Sequence, residues 1–232
     1  MSSTLAFAAG TGPHPPRALP AAPVAITVAR QRVRMTGVAR RQQLMDVGCT
    51  LFAERGFDAT TIEEIAHRAQ VSKPVIYGHF GGKDGLYAAI VDREMTRLLQ
   101  LVTQALSGGH PRGLLEQAAG AFLDYVENYT DGYRILLRGS GVGSASGTLT
   151  TLLGEVARQV EGILGREFRS RGYEAGLAPM YAQMLVGMVA LTGQWWLDVR
   201  HPGRDDVVAQ LVNLAWNGLS QLNPQPGSWS AG

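Results

Sequence analysis

The segment VSKPVIYGHFGGKDGL, residues 71–86, gathers groups suited to touching a polyanion. Lys73 offers an ammonium, Ser72 and Tyr77 offer hydroxyls, His79 an imidazole N–H and Lys83 a second ammonium. Pro74 fits the first turn of a helix, where its missing N–H costs nothing. Val75 supplies a methyl-bearing contact beside these polar groups. On one short helix such a set could meet phosphates and base edges in the major groove of B-DNA, which is about 12 Å wide. Lys73 then faces a base acceptor or phosphate, Val75 a thymine methyl, and Tyr77 and His79 phosphate oxygens. The start of the preceding helix near Thr60 and Thr61 offers free backbone N–H groups to an anion as well.

A helix this short cannot stand alone, because isolated helices need roughly 12–15 residues. Val71, Ile76 and Phe80 are therefore expected to pack inward against earlier helices. Leu44, Val47, Leu51 and Phe52 recur at spacings of three and four, the stripe of an amphipathic helix from about Arg40 that stops near Gly56. A second helix begins in DATTIEEIAHRA, where Thr60 with Glu63 and Thr61 with Glu64 form two overlapping capping boxes. Ser72 is positioned to cap the third helix, which is expected to end by Gly78. Three short helices with a tight turn between the last two make a helix-turn-helix plan.

Longer helices are expected at about 84–106, 111–129, 131–138, 148–171, 177–200 and 205–221, with the glycine-rich loop GSGVGSASG at 139–147. Strand-like alternation is almost absent, so the fold class is all-α, with a small N-terminal unit and a larger bundle. The domain plan is a flexible arm over 1–36, a DNA-binding unit over 37–83, a bundle over 84–222 and a flexible tail over 223–232. Proline and glycine in the first 36 residues argue against helix there.

Composition narrows the setting. Hydrophobic residues make up 45% and charged residues 17% of the chain, as in a packed globular protein. With Cys49 the single cysteine, no internal disulfide is possible, which fits a reducing cytoplasm. No secretory leader or membrane span is read from the sequence, and no membrane partner is expected. The net charge of +2 conceals an asymmetry. Arg17, Arg30, Arg32, Arg34, Arg40 and Arg41 lie in the first 41 residues with no acidic residue, and the remainder is net acidic. Such an arm either follows phosphates or an adjacent minor groove, or serves as a solvated tail. Nineteen arginines contrast with two lysines, Lys73 and Lys83, both in the opening segment.

Across about 50 residues the stretch RRQQLMDVGCTLFAERGFDATTIEEIAHRAQVSKPVIYGHFGGKDGLYAAI resembles the DNA-binding region of the TetR family of bacterial transcriptional regulators. The matching positions are Phe52, Gly56-Phe57, Thr60-Thr61, Ile65-Ala66, Val71-Ser72, Ile76-Tyr77, His79-Phe80 and Lys83-Asp84 with Leu86. Two positions depart from the family pattern: Gln70 stands where glycine is usual at the turn, and Gly78 where a larger residue is usual. The resemblance implies a homodimer on a palindromic double-stranded DNA operator, a small-molecule effector, and most often repression. Thr60, Thr61, Ser72, Lys73, Pro74, Val75, Tyr77, His79, Lys83, Arg40 and Arg41 are then the expected DNA contacts.

The C-terminal half carries no catalytic constellation, no metal-ligand spacing and no cofactor motif, so an enzyme is not expected. Its aromatic and methionine residues Phe122, Tyr125, Tyr129, Met184, Met188 and Trp195 are ordinary core material or the wall of a pocket for an apolar or aromatic effector. Leu191, Val208, Leu211, Val212, Ala215 and Leu219 form the apolar stripe expected to pair two copies. An effector-independent architectural DNA binder is the alternative reading, marked by strong salt dependence without operator preference. An all-α enzyme with an incidental helix-turn-helix is the second, against which the lack of a catalytic cluster tells.

Overall fold

The computed structural model describes residues 35–138 and 149–223, so the loop 139–147, nearly all of the arm and most of the tail lie outside the described residues. The described residues from Thr36 onward belong to one compact unit. Its DNA-binding end consists of α1 (Gly37–Arg55), α2 (Ile62–Arg68) and α3 (Lys73–Phe80). Behind it lie α4 (Lys83–Ala105), α5 (Pro111–Asn128), α6 (Thr130–Arg138), α7 (Leu149–Ser170), α8 (Ala178–Val199, after a 3₁₀ turn at Ala175–Leu177) and α9 (Arg204–Ser220). Among the described residues the regular structure is entirely helical.

Local chemistry sets the ends of the first helices. The Thr36 hydroxyl accepts from Ala39 N–H at 3.2 Å and starts α1. Gly56, at φ 84°, ends it and donates its N–H to the Phe52 carbonyl. Of the two capping boxes foreseen for α2, the structure uses Thr61, whose hydroxyl accepts from Glu64 N–H at 3.2 Å. The α2 terminus is a Schellman motif: Val71 N–H donates to Ala66 O at 2.9 Å and Gln70 N–H to His67 O at 3.1 Å. That motif needs a left-handed residue, and Gln70 takes it at φ 54°.

Two expectations for α3 change. Ser72 occupies the N-cap position but makes no capping hydrogen bond with its side chain. The helix also continues past Gly78 to Phe80, because the left-handed stop falls at Gly81, whose N–H donates to Tyr77 O at 2.8 Å. At α4, a Cβ on Gly85 would collide with the Phe80 carbonyl oxygen, so glycine is what lets α4 leave α3 so tightly.

No packing break falls at residues 83–84. One hydrophobic core runs from Leu44, Leu51, Phe52, Ile65 and Ile76 through Leu86, Ile90 and Leu98 to Val207–Val212. α1 rests on α4 and α6, so the DNA-binding end and the bundle share buried side chains. A satellite cluster of Leu164, Phe168, Ala178 and Ala182 ties α7 to α8. Contrary to expectation, residues 175–199 are long and apolar enough, with mean hydropathy 1.4, to meet the length and composition criterion for a membrane span. The reason is that α8 is apolar on two faces. Ala182, Val186, Ala190, Gly193 and Trp196 are buried, while Met180, Met184, Leu191, Trp195 and Val199 are exposed.

Candidate functional site

At the DNA-binding end, Ile76 is fully buried, and Val71 and Phe80 pack against the core from its edge. Ser72, Lys73 and Pro74 are exposed, as is Tyr77 at 52%. Val75 is half-buried and reaches the core with part of its side chain. The exposed face is therefore narrower than the sequence suggests. Lys73 is paired across to Glu63 of α2, and the hydrogen bond from Lys73 holds the Glu63 carboxyl below its usual range. Both side chains are more than half exposed, so the pair can open for a phosphate at little cost.

Several expected DNA contacts are structural instead. Thr60 is fully buried, and its hydroxyl donates toward Gly56 O at 2.7 Å and lies 3.3 Å from Leu51 O. It braces the α1–α2 turn and cannot reach DNA, whereas Thr61 beside it is exposed. Lys83 donates to Phe57 O at 3.0 Å and Thr60 O at 3.1 Å, with its ammonium 4.3 Å from the Phe57 ring centre. Its charge is spent on closing the α1–α2 loop rather than offered outward. Arg41 lies 4.4 Å over the Phe80 ring and donates to His79 O at 2.8 Å, fixing the end of α3 to α1. His79 itself is half-buried, and Arg40 donates to the Gln43 side chain at 2.6 Å. The sequence did not reveal Glu63 as the partner of Lys73, although Lys73 lies on the next helix across a tight turn.

In the bundle, α4, α5, α7, α8 and α9 enclose an apolar cavity of about 110 Å³. Leu115, Phe122, Leu152, Val156, Leu185 and Val189 are among its walls, and the Glu167–Arg171 ion pair, 2.6 Å apart, forms a polar end beside Trp216. Of the six expected effector residues, Phe122 alone lines this cavity. The Tyr125 ring is buried elsewhere, with its hydroxyl donating to Glu94 Oε2 at 3.0 Å. Burial, reinforced by that carboxylate, raises the Tyr125 phenol above its usual range. Tyr129 lies under the Arg97 guanidinium at 4.4 Å, Met188 packs on the core, and Met184 and Trp195 point outward, 55% and 51% exposed. The recurrence of Leu152, Val156, Val160, Leu164 and Phe168 on α7 was the sequence signal for the wall of this cavity.

The expected pairing stripe is also rearranged. Val208, Leu211, Val212 and Ala215 are buried within the chain against α5, and Leu219 lines the cavity. Val208, Leu211, Val212 and Ala215 thus spend most of their apolar surface within the chain, and Leu219 is half-buried. Leu191 is exposed at 68% and stands in line with Met184 and Trp195, and Leu214 of α9 is exposed to the same extent.

A family model described as bacterial regulatory proteins of the tetR family matches residues 44–90, and one described as a tetracyclin repressor-like C-terminal domain matches 111–218. The chain is 34% identical over 199 residues to the HTH-type transcriptional activator FasR of Mycolicibacterium smegmatis, covering 83% of this chain and 89% of that protein. A TetR-like regulator from Rhodococcus superposes with a TM-score of 0.63 at 27% identity, over 81% of this chain and 99% of that one. A tetR-family regulator from Streptomyces coelicolor gives a TM-score of 0.57 at 27% identity, over 78% and 80% of the two chains. These matches mark the chain as a DNA-binding transcriptional regulator. The chain belongs to the TetR family.

Proposed function

We propose that this protein binds a near-palindromic operator as a homodimer and that an apolar effector in the bundle cavity sets its affinity for DNA. The observation that carries this reading is the pairing of two features on one core. Lys73, Pro74 and Tyr77 are presented outward by a fully buried Ile76, and the same core continues to an apolar cavity. The contact set offered to DNA is Thr61, Ser72, Lys73, Pro74, Val75 and Tyr77, with the half-buried His79 at its margin. One recognition helix reads few base edges, and a two-fold pair doubles the readout. The exposed stripe Met180, Met184, Leu191, Trp195 and Val199 on α8, with Leu214 on α9, is an apolar face that suits a second copy. A DNA-binding role sets the protein to work in the cytoplasm.

Repression is the sense expected from the family at large, and activation has a specific observation in its favour: the M. smegmatis relative is named an activator. The sign follows from where the operator lies relative to the promoter, which in vitro transcription on the native promoter reads directly. The effector reading is tested with anisotropy of a bound labelled duplex titrated with a panel of apolar compounds. Val189→Phe fills the cavity wall far from α3. Compounds that alter duplex affinity of the unmodified protein are expected to lose their effect on this variant, with duplex affinity itself unchanged. An undiminished response in Val189→Phe contradicts the cavity as the effector site.

A further inference from the structure

Glu94 is 1% exposed, yet it carries a carboxylate in the middle of α4. Its Oε1 accepts from Arg93 Nε and from Arg97 Nη1, each at 2.8 Å. Its Oε2 accepts from Arg97 Nη1 at 2.8 Å and from the Tyr125 hydroxyl of α5 at 3.0 Å. α6 passes directly over the group: a Cβ on Gly132 would stand 2.5 Å from Glu94 Oε2. Arg93, 15% exposed, reaches past Glu94 to Asp46 of α1 at 2.7 Å. One buried carboxylate thus touches α5 and α6 and orients the arginine that grips α1.

A buried ion pair is a weak source of stability, because the cost of desolvating the charges consumes most of their attraction. Its specific geometry is the better account of its presence here. We infer that Glu94 is the positioning residue that sets where the DNA-binding end stands on the bundle, relaying shifts of α5 and α6 through Arg93 to Asp46 on α1. The surroundings allow such a shift. A polar cleft of about 350 Å³, lined by Asp46, Arg93, Glu94, Arg97 and Asp131 among others, opens beside the cluster. Next to Gly132, the buried Tyr133 hydroxyl has no hydrogen-bond partner among the described residues. The far side of the α5–α6 junction is anchored too, since Arg200 at the end of α8 donates to Thr130 Oγ1 at 2.8 Å. Displacement of α5 or α8 by a cavity occupant therefore reaches α1 through one chain of contacts.

This inference rests on the regulator reading for its purpose, and its test does not. Asp46→Asn and Tyr125→Phe each cut one end of the relay, and no hydrogen bond among the described residues joins the two positions directly. Amide hydrogen exchange of α1–α3 is measured in the free full-length protein for the two single variants and the double. Each single substitution is expected to speed exchange there by about two- to threefold or more, the low end of coupling within one network. The double variant should go no further than the stronger single one. Glu94→Gln, which keeps the shape and removes the shared charge, should match the double. Exchange changes confined to α5 for Tyr125→Phe, or effects that multiply in the double, overturn the relay. Dissociation constants for a selected duplex should follow the same non-multiplying pattern, and unchanged values beside altered exchange overturn its role in DNA binding. Failure to select any duplex would defeat the regulator reading while leaving the exchange result to decide the relay.

Discussion

Replacing Gln70 with glycine should stabilise the protein. Gln70 is exposed and closes the Schellman motif of α2 at φ 54°, a conformation that crowds its Cβ. The left-handed region costs a non-glycine residue about 1–2 kcal/mol. Glycine gives back about 0.4–1 kcal/mol of that through the greater freedom of its unfolded chain. The expected net gain is about 0.5–1 kcal/mol, which for a chain of this size raises Tm by roughly 1–4 °C. Differential scanning calorimetry on Gln70→Gly, with Gln70→Ala as control, measures it. Alanine keeps the backbone strain and should leave Tm at or slightly below that of the unmodified protein. Operator affinity should stay the same in both, because Gln70 lies outside the contact set proposed for DNA. An unchanged or lowered Tm in Gln70→Gly would refute the reasoning, since it would mean that the turn stores no strain in solution. A gain shared by the alanine variant would place the effect in the side chain instead.

Three further outcomes follow from packing and protonation. A Cβ on Gly193 would collide with the Phe122 ring, so Gly193→Ala should cost about 1–3 kcal/mol by overpacking, read as a lowered urea midpoint, and Phe122→Leu in the same chain should recover part of it. Tyr133 buries its hydroxyl without a partner among the described residues, so Tyr133→Phe should leave thermal stability unchanged or raise it by about 1 kcal/mol, unlike Tyr125→Phe, which abandons a bond to Glu94. Burial, with Glu94 next, pushes the Cys49 thiol up from 9.0 to about 12, so between those values the unfolded chain sheds its proton first and this group's contribution to stability falls as pH rises. A thiol-reactive disulfide at pH 8 should accordingly leave the native protein unlabelled and react on unfolding.

Much of the DNA-binding end was legible because its signals are local. Thr61 with Glu64, the glycine after Arg55 and the proline in the first turn of α3 each act within four residues. The side chains that turned inward were not legible for the same reason. Thr60 and Thr61 offer identical capping boxes, and only the path of the chain from Gly56 decides that the Thr60 hydroxyl turns to the carbonyls of Leu51 and Gly56. Lys83 reads as a free cation until the α1–α2 loop folds back within reach of its ammonium. In the bundle, composition pointed to aromatic and methionine residues, while the cavity is walled mainly by leucine and valine. An apolar residue on α8 can face the core, the cavity or the outside, and helical spacing alone does not choose among these once a helix is apolar on two faces. Val208, Leu211, Val212 and Ala215 form a genuine stripe on α9, and it is the three-dimensional neighbour, α5, that claims it.

The central claim is that the face around Tyr77 reads a specific DNA sequence. Selection of duplexes from a random pool at physiological salt, run in parallel with the full-length protein and with Tyr77→Ala, tests it most directly. Enrichment of a near-palindromic sequence by the protein, lost in Tyr77→Ala while the variant's melting temperature holds, is the predicted result. Binding without sequence enrichment, fading with salt and equal in the two proteins, would contradict it.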